Sequence, residues 1–284
     1  MTDGLEWSVD LGGGVRATLV QAGTFRTDVG AALGPVPRAV WERVVHEEID
    51  PQNRIRQGLN CLLVECPAGR VLIETGIGER LAEEAARVRG VEGKPILPSL
   101  RAAGFEPGTV DVVVLSHLHF DHAGGLLAAG GGPAFPRARI AVQRREWDIA
   151  LMDNPRISAS CDQPDLRLAR EFAADAMTEA DAELMPSVSV FLTGGHTAGH
   201  QGVLVRGRRL TLAFLGDLAM RPWSISPRCT TGFDDYPVDS VAQKQLLFAL
   251  AADEGWIVAL SHERSTPFGR IELEQGRFRF APIA

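Results

Sequence analysis

The apolar, β-branched run Asp111-Val-Val-Val-Leu-Ser116 leads straight into His117-Leu-His-Phe-Asp-His122. A buried strand is thus followed at once by four groups of the kind that bind divalent metals. Three of the seven histidines in the 284-residue chain fall inside this one stretch. Histidines that merely fill a core at a strand end would not cluster in this way. Side chains alternate along extended backbone, so His117 and His119 project to the same side. Asp121 stands where a helix can begin, with Ala123-Gly-Gly-Leu-Leu-Ala-Ala129 following, which carries Asp121 and His122 further along the same rim. The stretch can therefore serve two adjacent cations, with His117 and His119 on one and Asp121 and His122 on the other.

A site of that kind needs further ligands, and the downstream sequence holds them. His196, in Gly195-His-Thr-Ala-Gly-His200, follows the strand-like run Val188-Ser-Val-Phe-Leu192. Asp217 ends the buried run Leu210-Thr-Leu-Ala-Phe-Leu-Gly216, and His262 ends Trp256-Ile-Val-Ala-Leu-Ser261. Strand ends are the rims on which α/β folds place their chemistry. Because these groups span residues 117 to 262, one fold has to gather them, and residues 1–284 are read as a single domain.

The order His117-x-His119-x-Asp121-His122, then His196, Asp217 and His262, resembles the metallo-β-lactamase-fold hydrolases. The likeness extends back to Asn60-Cys-Leu-Leu-Val-Glu65 and Val71-Leu-Ile-Glu-Thr-Gly76, and Ser116–Gly125 is most similar to the branch holding N-acyl-homoserine lactone lactonases and related ester or phosphotriester hydrolases. The resemblance implies an α/β fold in four layers, an αβ/βα sandwich with the metals at one edge. It implies that His117, His119 and His196 bind one metal, that Asp121, His122 and His262 bind a second, and that Asp217 bridges them. The cofactors would be two divalent ions, zinc foremost, with manganese, iron or cobalt as alternatives. A hydroxide between the metals would attack the substrate, oriented by Asp121. Two positions depart from the pattern. Glu74 stands where most members carry aspartate, and Met220 stands where the lactonases carry a tyrosine that assists the substrate or leaving group. The chain's single tyrosine, Tyr236, is entered as a catalytic candidate that could reach the site from another loop, against the plainer reading of a half-buried packing residue.

The formal net charge is −7, which argues against a polyanion binder such as a nucleic-acid-processing enzyme. No apolar run is long enough to cross a bilayer and no charged-then-apolar leader begins the chain, so the expectation is a cytoplasmic protein with no membrane partner, acting on a small molecule. The four cysteines show no metal-binding spacing; Cys61 and Cys66 are expected in or beside a strand, Cys161 and Cys229 in loops where they could be exposed.

Residues 24–60 read as an irregular arm with one short helix near Pro37–Val45, and such an arm hints at a homodimer. His46 within it is read as a solvated loop histidine rather than a ligand. His200 is likewise assigned to packing or hydrogen bonding. A helix is expected over Glu79–Gly90, with Leu81, Ala85 and Val88 on its inner face. Residues 144–187 read as a helical insertion over the site, with helices at Glu146–Met152 and Arg167–Met177. Trp147, Ile149, Met152 and Phe172 are weighed as pocket lining against simple packing. Met220–Pro237 should border the site, offering Trp223, Phe233 and Tyr236 as an apolar wall. A helix over Asp239–Glu254 should face the core with Val241, Leu246, Leu247 and Leu250, and a hairpin turning at Gln275-Gly276 closes the chain. The functional expectation is hydrolysis of a small ester or lactone. Phosphotriester or phosphodiester hydrolysis is the first alternative, a mononuclear iron persulfide dioxygenase the second. A non-catalytic binding protein is disfavoured because every ligand position is filled.

Overall fold

The computed structural model describes residues 7–45, 48–173 and 178–283. The first sheet is built from β1 (Ser8–Gly12), β2 (Val15–Asp28), β3 (Arg54–Cys66), β4 (Gly69–Ile73), β5 (Val112–Val114) and β6 (Arg139–Ala141), six strands lying in sequence order. Its first four strands pair antiparallel, whereas β4, β5 and β6 run parallel. Between them come α1 (Val29–Leu33), α2 (Arg38–Val45), α3 (Glu83–Val88), α4 (Ile96–Ala102) and α5 (Phe120–Ala123). After β6 the chain forms α6 (Arg144–Ala150), α7 (Pro155–Ser160) and α8 (Gln163–Ala173). The second sheet holds β7 (Ala182–Met185), β8 (Val188–Leu192), β9 (Gln201–Arg206), β10 (Thr211–Phe214), β11 (Ile257–Ala259), β12 (Phe268–Glu274) and β13 (Arg277–Pro282), also in sequence order. The long helix α9 (Pro237–Glu254) joins β10 to β11, which pair in parallel.

Alternation along the strands explains the layering. Leu62, Val64, Val71, Ile73, Val112 and Val114 of the first sheet meet Val188, Val190, Val203, Val205, Leu212, Phe214 and Ile257 of the second in one continuous buried cluster. The alternate residues Cys61, Leu63, Leu72 and Val113 face α4, α6 and α8. On the far side, Leu204, Ala213 and Val258 face Leu247, Phe248 and Ala251 of α9. The central strands of both sheets are thus buried on both faces, which is why they read as unbroken apolar runs. The carboxyl ends of β5, β10 and β11 open at one edge, and His117, Asp217 and His262 lie just beyond them.

Several local expectations need correction. The arm expected over 24–60 is shorter, because β2 continues to Asp28 and β3 starts at Arg54, the two paired along most of their length. What lies between packs Val29, Leu33, Trp41 and Val45 against Ile55 and Cys229 as a small core of its own. His46 lies outside the described residues, as do positions 174–177 of the expected second insertion helix. The Glu79–Gly90 helix shrinks to α3, which buries no residue and whose start has no side-chain cap; Val88 is exposed. The 144–187 segment is not wholly helical, for it ends in the edge strand β7. Cys161 and Cys229 are buried, not exposed, each inside an apolar cluster. In α9 the buried residues are Ser240, Lys244, Leu247, Phe248 and Ala251, while Leu246 and Leu250 face outward. That stripe still has helical spacing, but its first turns face polar loop backbone: the Lys244 ammonium donates to the carbonyls of Cys229 and Ser224. The closing hairpin is as expected, with Gln275 and Gly276 both in the left-handed region that a two-residue turn requires.

Candidate metal centre

Five histidines and two aspartates converge at the open edge. Their ligand atoms fall into three interlocking groups, each within 4.8 Å: His117, His119 and His196; His117, His122 and Asp217; Asp121, His122 and His262. Asp217 lies between the outer groups with its oxygens pointing to opposite sides. Oδ2 is 3.5 Å from His196 Nε2, whereas Oδ1 is 3.3 Å from His122 Nε2 and 3.1 Å from His262 Nε2. Asp121 Oδ2 lies 3.8 Å from the Nε2 atoms of His122 and His262.

Four of the five imidazoles are oriented by a partner on the outer nitrogen. His196 Nδ1 is 2.8 Å from Asp234 Oδ1, His122 Nδ1 is 3.2 Å from Glu74 Oε2, and His262 Nδ1 is 2.7 Å from the Gly58 carbonyl. His117 Nδ1 meets Ser116 Oγ at 2.9 Å. A proton on those nitrogens leaves the Nε2 lone pairs facing inward, as metal ligands require. His119 is the exception. It turns Nδ1 inward, 3.2 Å from His196 Nε2.

The donor set fits cations. The Nε2 atoms of His117 and His122 are buried with no hydrogen-bond partner, although Asp217 Oδ1 is near the second. Buried polar atoms are normally satisfied, so inward-facing orphans of this type mark a place for a ligand-bound ion. The electrostatics agree. Burial opposes charge on His122, yet Asp217, Asp121 and Glu74 outweigh it and hold the imidazole well above its usual range. Burial likewise opposes ionisation of Asp217, and His122 and His262 hold its carboxyl well below the usual range. The cluster draws in positive charge.

Local backbone explains how these residues arrive. Gly216 sits at φ +50°, and a Cβ there would fall 2.5 Å from His200 Nε2 and 2.7 Å from Ser116 Oγ, so only glycine lets Asp217 turn inward beside the motif. Glu74 is a non-glycine residue at φ +67°. That conformation costs about 1 kcal/mol or more, and it aims the carboxylate at two targets: Oε2 reaches His122 while Oε1 accepts the Ser116 N–H at 2.8 Å. The larger side chain at this position therefore supports the motif directly.

His200 stays outside the ligand groups. Its Nδ1 meets Thr193 Oγ1 at 2.6 Å and its Nε2 accepts the Asp217 N–H at 3.3 Å. Burial, aided by the charge of His196, pushes its pKa down to about 3, which keeps the ring neutral. Tyr236 requires correction. It precedes α9 on the outer surface and lines a shallow depression with Arg145, Leu192 and Gln243, away from the cleft that holds the ligands. That cleft is lined by Phe25, Phe120, Met220 and Phe233, with Arg26, Gln57, Arg89, Asp121, Ser160 and His262 among the polar groups. Of the proposed wall only Phe233 takes part. Trp223 packs against the small arm core, and Trp147 is fully buried under the first sheet. Ile149, Met152 and Phe172 do not line the cleft; the insertion contributes Ala159 and Ser160 instead.

Three supporting groups escaped sequence reading. Asp234 was hidden in a loop already rich in aspartate. Buried Glu146 accepts hydrogen bonds from Leu118 N, Gly199 N and Thr197 Oγ1, joining the two histidine loops. Ser261 donates to Asp217 Oδ1 at 3.0 Å. Only Ser261, adjacent to His262, carried a positional hint.

Residues 56–262 match the family model described as the metallo-β-lactamase superfamily. An N-acyl homoserine lactonase of Bacillus cereus is 29% identical over 194 residues, covering 64% of this chain and 72% of that protein. Its counterpart in Bacillus thuringiensis is 31% identical over 173 residues, 57% of this chain and 63% of that protein, so the match spans less than two thirds of that relative. A probable metal-dependent hydrolase from Staphylococcus aureus superposes with a TM-score of 0.85 at 22% identity, covering 97% of this chain and 99% of that one. AidC, a dizinc quorum-quenching lactonase, superposes at 0.81 with 19% identity, covering 98% and 97%. At such identities the two structures establish the shared fold.

Proposed function

We propose that this chain, which belongs to the metallo-β-lactamase superfamily, is a dinuclear metal-dependent hydrolase that opens a small lactone or cleaves a small ester. The observation that carries the reading is the trio of interlocking ligand groups with Asp217 at their junction. His117, His119 and His196 would hold one ion, Asp121, His122 and His262 the other, and Asp217 would contact both. Divalent ions in such a site acidify water to a nucleophile and polarise a carbonyl oxygen.

The chain's own residues set the rest. Glu74, Asp234, Gly58 and Ser116 fix the imidazole tautomers, so the lone pairs are in place before any ligand arrives. Asp121 borders the cleft and would orient the attacking water and receive its proton on a carboxylate oxygen. Phe25, Phe120, Met220 and Phe233 would hold an apolar substrate body and exclude water. With Met220 where a tyrosine could stand, no side chain of the cleft wall offers a phenol for the leaving oxygen. The Bacillus relatives named as lactonases favour a lactone over an open ester.

The test pairs elemental analysis with steady-state rates on metal-replete protein, comparing acyl-lactones, aryl esters and a phosphotriester. Two ions per chain and fastest turnover of a lactone or ester are expected. Preference for the triester would move the assignment to phosphorus. One iron per chain with oxygen uptake on glutathione persulfide would replace it with dioxygenase chemistry.

A further inference from the structure

Besides its histidines, the charged side chains lining the cleft are Arg26, Asp28, Arg89, Asp121 and Asp217. All but one are committed elsewhere. Asp121 and Asp217 belong to the ligand groups. Arg26 lies 3.4 Å from Asp50 and 4.0 Å from Glu92. Each oxygen of Asp28 has a donor, the Ala31 N–H on one side and the Asn53 amide on the other. Arg89 is the exception: among the described residues its guanidinium has no ion pair and no hydrogen bond, and its Cζ lies over the Phe120 ring, 3.8 Å from the centroid.

Backbone holds Arg89 in this position. It ends α3, where its N–H bonds to the Ala85 carbonyl, and its own carbonyl accepts the Arg26 N–H of β2 at 2.7 Å. Phe120 stands between His119 and Asp121 and packs edge-on against Phe25, which in turn packs against the His262 ring, with centroids 5.9 Å and 5.7 Å apart. A row of rings therefore connects the guanidinium to the candidate metal centre. At 3.8 Å the cation meets the ring with its face, because an N–H aimed at the ring would hold Cζ farther off. Stacking uses that face and leaves the N–H edge of the planar group open to a partner. Arg89 is half-buried, so part of its hydration is lost to the wall and no opposite charge replaces it.

We infer that Arg89, stacked on Phe120 in the cleft wall, is a specificity residue that binds a carboxylate on the substrate, away from the bond that is cleaved. The substrate is then a lactone or ester whose apolar body ends in an acid group. The assignment rests on the hydrolase reading above and names its substrate class. A guanidinium fork presents two parallel N–H groups to the two oxygens of a carboxylate, and a neutral carboxamide of the same shape offers one oxygen and a repelling NH2 instead.

The experiment uses the holoenzyme and whichever scaffold, lactone or aryl ester, wild type turns over faster. Side chains of graded length end either in a carboxylate or in the isosteric carboxamide. Wild type should favour the carboxylate by about tenfold or more in kcat/KM at one chain length. Arg89→Met, which keeps apolar cover on Phe120, should bring that ratio close to one, with the loss appearing in KM rather than in kcat. Arg89→Lys, which keeps the charge without the fork, should retain part of the preference. Added salt should shrink the wild-type ratio and leave that of Arg89→Met unmoved. An arginine that only packed Phe120 would, when replaced, slow both substrates alike, and that result overturns the inference. A carboxylate preference that survives in Arg89→Met would place the acid at the metal ions and overturn it too, as would equal rates on both substrates at every length in wild type. In each of these cases the hydrolase reading stands. If wild type turns over neither scaffold, the hydrolase reading falls and takes the inference with it.

Discussion

Replacing Asp234 should weaken one metal position and spare the other. Its carboxylate is buried, accepts from His196 Nδ1 at 2.8 Å and from Thr231 Oγ1 at 2.8 Å, and touches no other imidazole of the cluster. A charge-assisted hydrogen bond of this kind is worth about 1.5–3 kcal/mol, which corresponds to roughly 10–100-fold in metal affinity, the usual effect of removing a histidine's outer partner. Asp234→Asn keeps an acceptor and loses the charge, so the lower end is expected. Asp234→Ala strips the partner from both His196 and Thr231 and should reach the upper end. The assay is chelator competition or calorimetry that resolves two binding steps. Only the step assigned to His117, His119 and His196 should weaken. Acid stability of the metal-free protein gives a second readout. Burial pushes the Asp234 carboxyl up, but His196 and Lys244 bring it down to about 2, below the ordinary 3.8. A lowered carboxyl pKa stabilises the fold above the unfolded value, and the benefit disappears as pH falls through the folded one. About 2 kcal/mol of wild-type stability should therefore vanish between pH 4 and pH 2 and be missing from Asp234→Asn at every pH. Equal weakening of both binding steps, or an unchanged isotherm, would refute the reasoning.

Glu74→Gln is the mirror experiment: with the partner of His122 neutralised, the step assigned to Asp121, His122 and His262 should weaken roughly tenfold while the other holds. Asp217→Ala removes the carboxylate that faces both groups, so elemental analysis should show metal loss together with abolished hydrolysis; full activity would exclude a bridging role. Tyr236→Phe should leave kcat/KM unchanged, since the residue lines a different depression, and a rate loss above tenfold would reopen its catalytic role. Dialysis against a chelator should lower Tm, because an ion at a hundredfold excess over Kd contributes about 3 kcal/mol to the folded state; identical melting curves with and without metal would contradict the fit of the ligand set.

The seven proposed ligands were legible because each stands at the end of an apolar run, and a run of that kind announces its own strand. The motif at 117–122 carried its spacing on its face. The supporting shell was not legible in the same way. Asp234 looks like any loop aspartate until the chain past β10 folds back over His196, and Glu146 looks like a surface residue of a helix until α6 is seen to turn it between two loops. In α9, residue type pointed to Leu246 and Leu250, but packing chose Ser240 and Lys244, because the helix rests its first turns on loop backbone that offers carbonyls rather than methyls.

Local pattern by itself determined most of the central strands and the donor chemistry of the candidate ligands, since hydrophobic alternation and donor chemistry are properties of short stretches of chain; the four-layer order came from the resemblance to a known family. Tertiary structure alone decided which oxygen of Asp217 faces which imidazole, that Tyr236 points away, that Met220 and Phe233 wall the cleft, and that Arg89 stacks on Phe120 there. Those facts depend on the direction of side chains brought together from distant segments, and direction across a packed interface is set by the whole fold rather than by any window of sequence.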